Sequence, residues 1–471
     1  MLIEELRAGS QEKLSRELLT EQGLISVSGG IQIDINVVER TIGGIKCDGV
    51  LCDHNCTTKD GGDYNCPAAF TLNKGVKPRY ASAEEIQTGI LETQRGVRLA
   101  NASMMASGVF GEYYDSFEIP EPVQQAIEGT IEDEVIEVNL FGGNPEMHPE
   151  VFQIAKGISS LPKTRVNLTT TGRIFLQKPD LISRLTGSGV SMLALSCDKI
   201  DPSLLKETEN YSRNDFLSQW KTIRPLNGAE QKSLEALYTA HLLESYPDSS
   251  TRLLFNLVVH EGNIDSIYDI VTELGQQFPR ALVNPYPAQS SIEWGEALFN
   301  DECLPKVDSF VSWMIGEHLM RNPSLTKRIH YWIMLKAALD TYRSDPAKAA
   351  RVISGYDIWK CYKSPGSARY VQVGASRGPW PGVKISPGGS LACFWNGGVT
   401  KRGTELWGKT KAEEVSSYIT ADIQEIAKTQ LRPCPGCIMP RLVFDLPSLE
   451  IGMSDEIKPA YLQLRKSVVG F

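Results

Sequence analysis

A chain of 471 residues, 41% hydrophobic and 22% charged, has the balance of a folded globular protein rather than a disordered one; its length suits one large domain with an appendage or two to three ordinary domains. Its formal net charge of −9 opposes nucleic acid as a bulk partner, because phosphate binding needs a basic surface. No apolar run reaches membrane-spanning length, and the N-terminal MLIEELRAGSQEK lacks the basic-then-apolar order of a signal peptide, so a cytoplasmic protein with no membrane partner is expected.

The first elements in the chain are a helix over about Gln11–Glu21 and a strand in GIQIDIN, where Ile31, Ile33 and Ile35 share one face. A glycine- and cysteine-rich loop follows over about Val37–Arg79. Ser82, followed by Glu84 and Glu85, opens a helix, because early acids suit the positive helix end. Residues 101–132 are less regular. A regular alternation then begins. VIEVNLF (135–141), RVNLTTT (165–171), VSMLALS (190–196), RLLFNLVV (252–259) and ALVNPY (281–286) read as strands. The stretches between them carry helical patterns, and helix resumes after Leu304. Apolar strands alternating with helices imply an α/β fold with a parallel sheet, either open or curled into a partial barrel. Such sheets bind ligands at the C-terminal ends of their strands. From about Asp345 the composition shifts toward Gly, Pro and Trp, with short strand-like pieces such as YVQVG. This reads as a second, smaller module, which divides the chain into 1–30, 31–345 and 346–471.

The chain has ten cysteines, and in a reducing compartment their spacing asks for a metal or a core role rather than disulfides. Cys47, Cys52, Cys56 and Cys66 lie in the loop after the first strand. Three of them bound to a four-iron cluster would leave one iron open to a cofactor, whereas all four around zinc would close the site; spacing alone leaves both readings standing. Cys361, Cys393, Cys434 and Cys437 form a second set in which Cys434-Pro-Gly-Cys437 is a two-sulfur knuckle, again for zinc or iron–sulfur. Cys197 and Cys303 stand alone and read first as small buried residues. A hydrogen-atom donor is the sharper alternative for either.

In this order the elements resemble the radical S-adenosylmethionine (SAM) superfamily over roughly residues 30–290. Cys52, Cys56 and Cys66 stand where that family carries its three cluster cysteines, although the second gap is longer than the usual C-x3-C-x2-C. Gly142, Gly143, Asn144 and Pro145 look like the family's G-G-E-P motif, which holds the SAM amino group largely through main-chain carbonyls. Thr171 in TTTG, Ser196 and Asp198 in LSCD, and Asn256 in NLVVHEGN fall in family order at the next three strands. The C-terminal module is similar to the SPASM/twitch group: Gly388-x4-Cys393 matches its G-x4-C element and Cys434-x2-Cys437 its knuckle. Four cysteines there suit one auxiliary cluster, with Cys361 completing the set.

The resemblance implies a partial (βα)6 TIM-like barrel with a small C-terminal α+β auxiliary-cluster domain. It implies two 4Fe-4S clusters, SAM, and an electron donor such as flavodoxin or ferredoxin. The implied activity is reductive cleavage of SAM to a 5′-deoxyadenosyl radical, which takes hydrogen from a substrate carbon. The implied substrate is a peptide or protein side chain undergoing crosslinking, oxidation or epimerisation, or else a small polar metabolite. Few residues precede the first strand, so no fused leader-peptide recognition domain is expected, nor a cobalamin domain. Two other classes stay open: a non-catalytic zinc protein with two structural knuckles, and a cluster-binding partner without catalysis. Tyr286, Glu261 and Trp380 are placed by order near the mouth, with packing or surface roles equally open.

Overall fold

The computed structural model describes residues 32–36, 38–41, 76–80, 83–106, 121, 136–141, 145–162, 164–197, 200, 202–208, 218, 228–246, 249–287, 299–322, 328–354, 358, 371–374, 412–413, 416, 449–450 and 452–469. Strands β1 (Gln32–Asn36), β4 (Ile136–Phe141), β5 (Thr164–Thr170), β6 (Val190–Cys197), β7 (Arg252–Val259), β8 (Leu282–Pro287) and β9 (Val371–Gly374) form one sheet in the order β8-β7-β6-β5-β4-β1-β9. Every neighbouring pair in it is parallel. The remaining strands, β2 (Val38–Thr41) and β3 (Val76–Tyr80), pair antiparallel with each other.

Between strands run α1 (Ala83–Ala106), α2 (Val151–Ser159), α3 (Arg173–Gln177), α4 (Leu181–Thr186), α5 (Pro202–Thr208), α6 (Gly228–Glu244) and α7 (Ile267–Gln277); α8 (Leu304–Trp313), α9 (Ile329–Thr341), α10 (Pro346–Ile353) and the last, α11 (Lys458–Val469), lie beyond β8. The fold is therefore α/β, with six strands from β1 through β4 to β8 laid side by side in chain order. Because parallel crossovers share one hand, that order puts successive helices on the same face of the sheet. The burial pattern agrees. Val166, Leu168 and Thr170 of β5 are buried while Arg165, Asn167 and Thr169 are not, and Leu193, Leu195 and Cys197 of β6 are buried beside half-exposed Met192 and Ser196.

The helices supply the matching apolar stripes. α7 buries Ile267, Ile270, Val271 and Leu274, the i, i+3, i+4, i+7 pattern of one helix face. α2 buries Val151, Phe152, Ile154, Ala155 and Ile158 in the same way. Phe255 of β7 meets Phe278 at the end of α7 with ring centroids 5.1 Å apart, and each such burial contributes roughly 1.5–3 kcal/mol.

Beyond β8 the chain covers the edge strand. A single π-helical turn, Met314–His318, follows α8 and aims His318 so that its Nε2 donates to the carbonyl of Val283 at 2.8 Å. That bond satisfies an edge carbonyl that would otherwise be open to pairing with another strand. The C-terminal helix α11 packs on α9. Tyr461 Oη lies 3.2 Å from His330 Nδ1, and buried Arg465 pairs with buried Glu450.

Several elements differ from the sequence reading. The hairpin β2–β3 lies within the stretch read as loop. The helix after Ser82 runs on to Ala106, into the stretch read as irregular. The long helical region before Pro247 is α5 and α6, separate helices. YVQVG, read as part of the second module, supplies β9, which joins the main sheet beside β1. The helix read at 11–21 lies outside the described residues. Among the described residues, no helix is long and apolar enough to cross a membrane.

Candidate functional site at the C-terminal strand ends

The hairpin roots the cysteine loop. Val37 alone separates β1 from β2, and Val38 pairs with Tyr80 and Thr41 with Val76. The segment 42–75, with Cys47, Cys52, Cys56 and Cys66, therefore joins the far ends, Thr41 and Val76, of a hairpin that begins one residue past β1. The next strand over is β4, whose C-terminal end leads into Gly142-Gly143-Asn144-Pro145. The side chains of the first cysteine set, those of Cys361, Cys393, Cys434 and Cys437, and residues Gly142, Gly143, Asn144 and Asp198 lie outside the described residues, as does Trp380.

Four of the eight residues read as cofactor-binding are described, on or just past four successive strands. Pro145 follows β4 and Thr171 follows β5, both buried; Ser196 is next to last in β6, and Asn256 lies in the second half of β7. Ser196 and Asn256 are in register, as are Asn256 and Asn284 of β8. All three alternate with core-facing residues, so they occupy the face turned away from the helices. Tyr286 lies on that face too, two residues past Asn284. Glu261 instead follows β7 and accepts a hydrogen bond from Asn300 at the surface.

This face carries a set of linked polar side chains among its apolar ones. Thr169 Oγ1 donates to Asn139 Oδ1 at 2.8 Å, and Ser191 Oγ donates to the carbonyl of Val166 at 2.9 Å. Asn284 Nδ2 donates to Asn256 Oδ1 at 2.9 Å, and Arg328 Nη1 donates to Asn284 Oδ1 at 2.8 Å. The row Ser196–Asn256–Asn284–Arg328 thus runs across three strands to the residue that precedes α9.

A buried carboxyl ties the β4 and β5 ends together. Glu146, in the one-turn helix Pro145–Met147, is 5% exposed. Thr170 Oγ1 donates to its Oε1 at 2.6 Å and itself accepts from the Gly172 amide at 3.0 Å. Glu146 Oε2 has no hydrogen-bond partner among the described residues. Burial pushes its pKa from 4.5 up to about 7, with the Thr170 hydroxyl pulling the other way. Behind it, Gly172 adopts a φ of 92°, its carbonyl accepts from Thr239 Oγ1 at 3.0 Å, and Arg173 pairs with fully buried Glu235 of α6 at 2.7 Å.

Cys197 lies in the core and Cys303 is buried at the start of α8, and neither is in a disulfide. Burial and the neighbouring Glu261 carboxylate push the Cys303 thiol up, which keeps it protonated. Sequence reasoning missed Glu146, Asn284 and Arg328. Position alone gave a signal for Glu146, which follows the Gly-Gly-Asn-Pro turn by one residue. Arg328 is 44 residues from Asn284, and nothing local announces their contact. No protein-family model matches this chain, and no curated protein matches it in sequence.

Proposed function

We propose that the protein is a radical SAM enzyme with an auxiliary cluster, acting on a peptide or protein side chain. One observation carries this reading: the hairpin that brackets the cysteine segment begins one residue past the C-terminal end of β1, beside the strand that leads into Gly142-Gly143-Asn144-Pro145, with polar Ser196 and Asn256 on the same sheet. The partial (βα)6 barrel belongs to the same reading. Chain-order parallel strands with helices on one face tend to curl, and Ala194, Leu254, Val258 and Asn284 are buried although they face away from the helices, which suits a concave, layered interior.

The described residues fit SAM at the level of donors. Ser196 and Asn256 present hydrogen-bonding groups to the open face, and the glycines after β4 allow close backbone approach. Cys52, Cys56 and Cys66 would hold the first four-iron cluster, and Cys361, Cys393, Cys434 and Cys437 the auxiliary one. Bound there and reduced by a flavodoxin- or ferredoxin-type donor, such a cluster and cofactor would supply radical abstraction of hydrogen from a substrate carbon. The chain's own part is to orient. Pro145 and Thr171 shape the β4 and β5 ends, and Ser196 and Asn256 fix polar groups of the bound molecule. The choice of a side-chain substrate follows from the SPASM/twitch-like cysteine pattern.

The test is anaerobic purification with iron and sulfide quantitation, followed by a SAM-cleavage assay with reductant. A brown protein that releases 5′-deoxyadenosine is expected. A colourless protein with stoichiometric zinc and no cleavage overturns the reading.

A further inference from the structure

We propose that Arg328 and Asn284 are positioning residues that hold the Asn256 carboxamide with its N–H2 edge toward Ser196, so that the Ser196–Asn256 pair takes a carboxylate oxygen. The orientation follows from donor and acceptor chemistry. A guanidinium only donates, so the Asn284 atom at 2.8 Å from Arg328 Nη1 is the carbonyl oxygen. Asn284 must then present its N–H2 to Asn256, whose facing atom is in turn the oxygen at 2.9 Å. That leaves Asn256 Nδ2 on the side of β6, where Ser196 stands in register one strand away, about 4.8 Å across the sheet.

Neither Asn256 Nδ2 nor Ser196 Oγ has a hydrogen-bond partner among the described residues. Two unpaired donors therefore sit side by side at the open face. Asn284 is 4% exposed, so the relay is shielded from water, and the Arg328 charge polarises both amides in one direction. Two donors side by side, backed by the Arg328 guanidinium through the Asn284 relay, favour an acceptor over a donor or a cation.

The carboxylate comes either from the methionine part of SAM, which rests on the reading above, or from a separate acid. Asn284→Asp separates the orientation from mere packing. The aspartate still accepts from Arg328 but cannot donate, so Asn256 turns its N–H2 toward it and offers oxygen to the ligand. Arg328→Met removes the anchor, and Arg328→Lys restores the charge and one donor.

The experiment uses the reconstituted full chain. It measures dissociation constants for SAM and for decarboxylated SAM, and the rise in melting temperature produced by millimolar propionate. If the cofactor supplies the carboxylate, Asn284→Asp and Arg328→Met weaken SAM by about tenfold or more, change decarboxylated SAM by less than about twofold, and Arg328→Lys recovers part of the loss. If a separate acid supplies it, SAM binding is unchanged and propionate stabilisation disappears in the first two variants. A wild type that ignores SAM but shows the propionate pattern keeps this proposal and ends the radical SAM reading. The proposal is overturned if folded variants bind both probes as wild type does, if SAM and decarboxylated SAM weaken equally, or if the wild type responds to neither probe.

Discussion

Replacing Glu146 by Gln removes a titration that the fold makes costly. In the unfolded chain this carboxyl ionises near 4.5, whereas in the folded protein burial holds its proton until about 7. The folded state therefore keeps a proton that the unfolded state has already released. Stability from this source is present below about pH 4.5 and is lost as pH rises toward about 7. At about 1.4 kcal/mol per pH unit, the gap amounts to at most about 3.5 kcal/mol. Gln keeps the acceptor for Thr170 Oγ1 and has no charge to desolvate. Its own buried N–H2 has a cost, but one that does not vary with pH. The quantity to measure is the difference in unfolding free energy between Glu146→Gln and wild type, by paired urea titrations at pH 5, 6, 7 and 8. That difference should move in favour of the variant by about 2.5 kcal/mol across the series, most of it by pH 7. Other titrating groups cancel in the subtraction. Thr170→Val should push the carboxyl above about 7 by removing the hydroxyl that favours its anion, which carries the transition to higher pH. Parallel pH profiles for wild type and Glu146→Gln would show that this carboxyl is not buried as described and would refute the reasoning.

Glu235→Ala leaves the Arg173 guanidinium buried without its partner and should cost about 3–5 kcal/mol, read as a fall in urea midpoint. Gly172→Ala should destabilise by about 1–3 kcal/mol: the backbone has a left-handed φ of 92° there and an added Cβ would press on the Thr239 hydroxyl, so thermal melting should fall with the Thr239 hydrogen bond. Cys56→Ala should abolish SAM cleavage, while Cys437→Ala should retain cleavage without substrate and lose product; both are read by 5′-deoxyadenosine chromatography, and full activity after Cys56→Ala would show the first cluster to be assigned wrongly.

The strands were legible because their signal is local. LFNLVV and MLALS belong to short apolar runs bounded by turn and helix signals, the form of a covered strand, and β7 matches its expected span, Arg252–Val259, at both ends. The alternation of Ser196 with Cys197 was legible for the same reason, since neighbours in a strand face opposite ways and the polar member stays half-exposed. The hairpin was not legible. VERT and VKPRY have little strand character of their own, and they pair across a 34-residue excursion that no short-range turn signal spans.

By itself, the order of apolar and polar residues determined the α/β class, the succession of strand and helix, and the clustering of polar residues at the C-terminal strand ends. These depend on each residue and its near neighbours along one element. Only the tertiary structure decided that YVQVG extends the main sheet at β1, that Glu146 is shut away from water beside Thr170, and that Arg328 reaches Asn284. Each of these depends on which distant segments are brought together, because burial and the desolvation of charge belong to the assembled surroundings and not to the residue that experiences them.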